Sequence, residues 1–206
     1  TGTTVTLTAT PNAGSAFVGW NPQPCAPIFF MPPNSLTCTA IFSSNSSTVP
    51  SAVGVFRAGT WYLDNNGNGQ WDGCQQDGGQ DLCLYNSFGM TGDMPAAGNW
   101  DGGAQSSIGV LRSSTGEWFI DYNGNHHWDG CVADGCYRFG APGDWPVAGD
   151  WNGTGFAKIG VFRAGAWYLD GNSNGQWDGC GVDICLNFGQ AGDLPVAGNW
   201  DGASKA

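Results

Sequence analysis

The sequence predicts an all-β chain in which a unit of about 50 residues is repeated three times behind a small, incomplete β module. Three observations carry this. Sixteen of the 17 acidic residues are Asp and 35 residues are Gly, a balance that favours turns over helices. Short apolar stretches rich in aromatic and β-branched residues stand between those turn residues, as strands require. And the same strings return at a fixed period: Val53, Ile108 and Ile159 each open one, with starts 55 and 51 residues apart. Such a period marks repeated supersecondary units that bury their cores against one another.

Residues 1–42 form the N-terminal module. Residues 3–11 alternate as a strand, residues 17–20 make a second, and residues 36–42 a third. The pattern VTLTATPNAGSAFVGW … MPPNSLTCTAIF is similar to part of a secreted bacterial β-repeat, an Ig-like or β-grasp-sized module. Residues 43–52 are rich in Ser and Thr and read as a linker. Residues 53–206 hold the repeats.

The third repeat shows the expected strands most clearly, at residues 159–163, 166–170, 184–188 and 195–200. Four short strands per repeat is what one blade of a β-propeller takes. Phe56, Trp61 and Trp100, with their counterparts, are expected between neighbouring sheets. The strings IGVFRAGAWYLDGNSNGQWDG and GDLPVAGNWDG resemble the FG-GAP, integrin-like propeller repeats of bacterial secreted proteins, three times over within residues 53–202. That resemblance implies the fold; it leaves adhesion, surface architecture and sugar binding open as functions.

Each repeat carries one polar loop with a fixed spacing. The first has Asp64, Asn66, Asn68, Asp72 and Asp77; the second Asp121, Asn123, Asn125, Asp129 and Asp134; the third Asp170, Asn172, Asn174, Asp178 and Asp183. These are positions 1, 3, 5, 9 and 14. Oxygen ligands at alternate positions of a tight loop converge on a hard cation, here Ca2+, and the position-7 carbonyl of Gln70, His127 or Gln176 completes the shell. Magnesium, which prefers fewer protein ligands and strict octahedral geometry, fits less well. Asx-turns would account for single Asp and Asn residues but not for three carboxylates at fixed offsets in three copies. The closing Gly-Asn-Trp-Asp-Gly strings resemble a second calcium loop of the same family that has lost oxygen ligands, with Lys158 in one ligand slot, and are expected to be turns only. His126 and His127 form a lone pair, too few ligands for a transition metal.

The eight cysteines fall into four local pairs, Cys25–Cys38, Cys74–Cys83, Cys131–Cys136 and Cys180–Cys185. Without a CxxC motif they read as disulfides formed in an oxidising compartment. The formal charge of −11 with only six Lys and Arg excludes nucleic-acid binding, and no apolar run is long enough to insert into a membrane. No nucleophile, base and orienting acid recur together, so no enzyme is expected. The expectation is a secreted or surface-exposed, calcium-stabilised structural protein, a subunit of an extracellular fibre or an adhesin, that self-associates by strand complementation. The alternative is a lectin-like module stacking carbohydrate on Trp71, Trp128 and Trp177.

Overall fold

The repeats form three antiparallel sheets in the computed structural model, which describes residues 4–10, 15–21, 28–30, 37–44, 51–103, 105–198 and 200. The chain divides into two compact units, Thr1–Pro50 and Ser51–Ala206.

In the first unit, β1 (Thr4–Thr6) pairs with β3 (Ile28–Phe30), and β2 (Ser15–Asn21) pairs with β4 (Thr39–Ser44). Three expectations change. The strand β3 lies in a stretch expected to have none, because three residues flanked by prolines are too few to show an alternation. For the same reason β1 stops at Thr6: β3 offers only three partners. And β4 runs through Ser43 and Ser44, opposite Ala16 and Ser15, so pairing claims the first residues of the expected linker.

The second unit begins with a three-stranded sheet of β5 (Gly54–Arg57), β6 (Thr60–Leu63) and β7 (Leu82–Tyr85). The next sheet has four strands, β8 (Met94–Gly98), β9 (Ser107–Arg112), β10 (Glu117–Ile120) and β11 (Gly135–Arg138). The last repeats that order with β12 (Trp145–Gly149), β13 (Lys158–Arg163), β14 (Ala166–Leu169) and β15 (Ile184–Asn187). The hairpins β5–β6 and β13–β14 turn on Ala58-Gly59 and Ala164-Gly165. All four residues have positive φ, as a two-residue hairpin turn matched to the strand twist demands.

The fourth strand of each repeat corrects the sequence reading. It does not close its own sheet; it joins the next. Strand β8, which ends the first repeat, pairs with β9 of the second, Met94 opposite Leu111. Strand β12 pairs with β13 in the same register, Trp145 opposite Phe162. Residues 195–198 of the third repeat, expected as a strand, are not one: among the described residues there is no further first strand for them to pair with.

Packing follows the exchange. One core, of Trp100, Leu111, Trp118, Ile120, Phe139, Ile159 and Val161, joins the second sheet to the third; another, of Trp61, Phe88, Ile108 and Val110, joins the first to the second. The closing strings meet closely, since a Cβ on Gly98 would stand 2.7 Å from the Ala157 Cβ. Trp118 is fully buried and donates its indole N–H to the Phe139 carbonyl at 3.0 Å. Trp61 and Trp167 make the same bond to Phe88 and Phe188. Trp118→Ala therefore removes a large ring and strands a carbonyl, and is expected to cost about 3–5 kcal/mol of stability, read as a lowered midpoint in guanidinium unfolding with disulfides intact.

Candidate metal centre

The polar loops run from β6 to β7, from β10 to β11 and from β14 to β15, so strand ends fix both of their margins. Their inner scaffold is a ladder of backbone N–H groups donating to side chains. In the third loop, the Ser173 and Asn174 amides donate to Asp170 Oδ1 and the Gly175 amide to Asp170 Oδ2. Asn174 and Gln176 donate likewise to Asn172 Oδ1 and Asn174 Oδ1. The first loop matches this pattern on Asp64, Asn66 and Asn68. In the second, the amides of Asn125, His126 and His127 donate to Asn123, Asp121 and Asn125. Position 6 needs positive φ: Gly69, His126 and Gly175 all have it. Gly175 is also packed so tightly that a Cβ there would overlap the Tyr137 ring.

Position 9 gathers the loop. The amide groups of Asn66 and Asn68 both donate to Asp72 Oδ2, at 2.9 and 2.5 Å. Asn123 and Asn125 do so to Asp129, and Asn172 and Asn174 to Asp178. These bonds lower the carboxyl pKa of Asp72 and Asp129. The backbone N–H of position 9 in turn donates to one further carboxylate: Asp129 to Asp134 and Asp178 to Asp183, at 2.8 and 2.7 Å.

In the first loop that further carboxylate is Asp81, which accepts the Asp72 amide at 2.7 Å. Asp77, expected in the role, is exposed in a short 3-10 turn, Gln75–Asp77. The first loop has four extra residues between its cysteines, so counting from Asp64 reaches Asp77 rather than the Asp that accepts the position-9 amide. Counting back from the second cysteine finds the right one: Asp81, Asp134 and Asp183 each lie two residues before Cys83, Cys136 and Cys185.

The cysteines serve this geometry. Cys74–Cys83, Cys131–Cys136 and Cys180–Cys185 are disulfides, each tying the far end of a loop to the strand that follows it, β7, β11 or β15. Cys38 is disulfide-bonded; its expected partner, Cys25, lies outside the described residues.

The electrostatics concentrate at the inner Asp residues. Asp81, Asp121, Asp134, Asp170 and Asp183 are buried. One oxygen each of Asp81, Asp121 and Asp134 is buried with no hydrogen-bond partner. Burial raises the Asp134 pKa, reinforced by the charges of Asp121 and Asp129, and burial likewise raises that of Asp170, with Asp183 adding to it. Ionised carboxylates held together without a counter-charge are costly, so the donor set fits a hard dication. Among the described residues, no three His, Cys, Asp or Glu side chains already close on one point as a metal shell; the clusters combine carboxylates with Asn side chains. His127 Nδ1 lies 3.3 Å from Asp129 Oδ1.

The closing loop of the second repeat shows the same scaffold around a different cation. Counted from Asp150, the amides of Thr154 and Gly155 donate to Asp150 Oδ1 and Oδ2 at 3.0 and 2.7 Å, as at positions 5 and 6 of the third polar loop. Position 9 is Lys158. Its buried ammonium donates to Asp150 Oδ1 at 2.7 Å, to the Phe156 carbonyl at 2.8 Å and to Thr154 Oγ1. Oxygens at positions 1, 5 and 7 thus surround a positive charge supplied by the chain itself. Sequence reading took this string for a plain turn. In the first repeat Ser107 stands in the place of Lys158 and donates to Asp121 Oδ2 at 2.8 Å, joining the closing string to the next polar loop.

The tryptophans after position 7 lie between repeats. Trp128 packs edge-on against Phe88 and Phe119, and Trp177 against Phe139 and Tyr168. Trp71 meets only Tyr62 of its own sheet and stays exposed.

Comparison with known families matches residues 1–46 to the divergent InlB B-repeat domain, a bacterial surface repeat. Neither the comparison with curated proteins nor that with solved structures returns a match. A surface-repeat module and three disulfides fit an extracellular protein. Among the described residues, no helix is long and apolar enough to cross a membrane.

The Asp150–Lys158 pair generates a pH prediction. Burial works against the Asp150 carboxylate, but the Lys158 ammonium and the two loop amides outweigh it and hold the pKa at about 2. A depressed carboxyl pKa contributes stability above the unfolded value near 3.9, and that contribution is lost as pH falls toward 2. Wild type should accordingly exceed Asp150→Asn in stability at neutral pH, the gap narrowing between pH 4 and pH 2 in parallel urea titrations.

Proposed function

We propose that this chain is a secreted, calcium-stabilised structural protein of the bacterial surface. Its FG-GAP-like repeats each hold one Ca2+, and it serves as the subunit of an extracellular fibre or a cell-surface adhesin that associates with copies of itself. The role is structural rather than catalytic. Asp64, Asn66, Asn68, the Gln70 carbonyl, Asp72 and Asp81 would hold the first ion. The corresponding residues of the second and third loops, with Asp134 and Asp183 innermost, would hold the others.

One observation supports this above the rest. The Lys158 loop gathers its oxygens at positions 1, 5 and 7 around a cation, and the three polar loops share its amide scaffold. They differ in carrying Asp at position 9 and a second buried Asp beside it. Exchanging an ammonium for two carboxylates leaves a surplus of negative charge that a dication neutralises. A bound Ca2+ supplies that charge and cross-links the two ends of each loop. The chain's own residues do the remainder: amides orient position 1, the Asn pair orients position 9, and the disulfide keeps the last Asp at the strand start. Three such ions would bring the formal charge from −11 to −5. Most of the acidity is thereby internal ligand chemistry.

Calorimetry of the intact chain is expected to find three calcium sites. Calcium at 100 times its dissociation constant should add about 2.7 kcal/mol per site, seen as a raised Tm that EDTA reverses. Asp134→Asn should leave two sites and a smaller rise, whereas Asp77→Asn should leave all three. No binding heat together with an EDTA-insensitive Tm would sink the calcium reading.

A further inference from the structure

The strand exchange that builds this array leaves its two ends complementary. In the first repeat, β5 has no strand on its outer side among the described residues. Val55 is 55% exposed there, although its counterparts Val110 and Val161, covered by β8 and β12, are 0% and 1% exposed. In the third repeat, residues 194–198 resemble β8 and β12 in sequence but join no sheet among the described residues, and Leu194 and Val196 are both exposed. The polar groups divide in the same way. Asp93 and Asp144, just before the exchanged strands, each form a two-pronged ion pair with the arginine that ends the next repeat's first strand, Arg112 or Arg163. Asp193 is poised identically, its carboxylate accepting the Gln190 amide as Asp93 and Asp144 accept those of Met90 and Ala141. Yet Asp193 is exposed, and among the described residues neither it nor Arg57 makes an ion pair. The rings complete the pattern. Phe88 and Phe139, 1% exposed, lie under Trp128 and Trp177 of the following repeat; Phe188 is 80% exposed and Trp71 lacks the phenylalanine of a preceding one.

We infer that residues 194–198 of one copy add as an antiparallel strand to β5 of a second copy, with Asp193 locking onto Arg57 and Phe188 closing under Trp71. This names the contact behind the self-association proposed above and rests on that reading. The register comes from the two internal junctions: Leu194 opposite Phe56, Pro195 opposite Val55, Val196 opposite Gly54 and Ala197 opposite Val53. The occupant is a second copy because the surface continues an interface the chain already makes twice with itself. No core cluster joins the first sheet to the third within one chain among the described residues. The contact is heterologous, a donor strand of one copy meeting the acceptor edge of the next, and association runs head to tail.

The test uses the 206-residue protein, oxidised and in calcium, by light scattering on a sizing column and by electron microscopy. Wild type should grow with concentration beyond 21.5 kDa. Arg57→Asp and Asp193→Arg, both at exposed positions, should each fold with an unchanged circular dichroism spectrum and weaken association by about 30-fold or more. Mixing the two variants should restore growth, because every junction then regains an opposite-charge pair. A wild type that stays at 21.5 kDa at every concentration would overturn both this contact and the self-association reading. Growth equal in wild type and both variants would overturn this contact alone, and so would failure of the mixture to assemble.

Discussion

The first two repeats of this protein each lend their last strand to the repeat that follows, and the remaining architecture follows from that exchange. A three-stranded sheet of four-residue strands has a long exposed edge for its size. The incoming strand covers the edge of β9 or β13 and brings its Asp within reach of the arginine at that strand's end. The tryptophan just beyond the donated strand then falls into the junction, as Trp100 does against the Ser107 carbonyl. Sheets, cores and ion pairs are therefore shared properties of adjacent repeats. The contrast between β5 and β9 isolates the effect: sequences of the same type are solvent-exposed without the donated strand and buried with it.

Much of this was legible in the sequence. The period, the aromatic strings and the alternation of Gly and Asp with apolar runs placed most strands of the second unit within a residue or two. Partner choice was not legible, because a strand's own residues do not say which edge it covers. The fourth strand reads the same whether it closes its own sheet or the next. Ser43 and Ser44 show the same limit in the first unit, where pairing with Ala16 and Ser15 overrides a composition typical of linkers. The inner Asp of the first loop was hidden differently. Four inserted residues moved it to Asp81 and left Asp77 as a decoy, and only the disulfide frame, which fixes the third strand, keeps the right count.

The polar loops and the Lys158 loop show one scaffold serving two electrostatic solutions. The backbone amide at position 6 donates to the first Asp in all three polar loops and in the Lys158 loop, so the difference rests on position 9. With Lys158 there, the site is complete within the chain, and the ammonium is held by a carboxylate, a hydroxyl and a carbonyl. With Asp there, the site carries a second buried acid; in the second loop this is Asp134, whose burial and like-charged neighbours raise its pKa. A folded chain tolerates such a cluster only if something offsets its desolvation. The preference for Asp over Glu follows from the same geometry: the short side chain keeps its oxygens close enough to accept amides from its own loop, which a longer and freer Glu would reach only at greater entropic cost.

Sharing strands also decides how stability is distributed. In an array whose repeats contact only their neighbours, stability is a sum of repeat and junction contributions. A middle repeat with two junctions is held on both sides, as the complete burial of Val110, Leu111 and Trp118 reflects. Among the described residues the first and third repeats each have one junction. Every repeat, the middle one included, carries its own local fastening, Cys74–Cys83, Cys131–Cys136 or Cys180–Cys185. A disulfide closing so short a loop restrains little of the unfolded chain, so its main effect is to hold two strand ends in register. That is what a terminal sheet requires if its open edge is to keep the shape of an internal one.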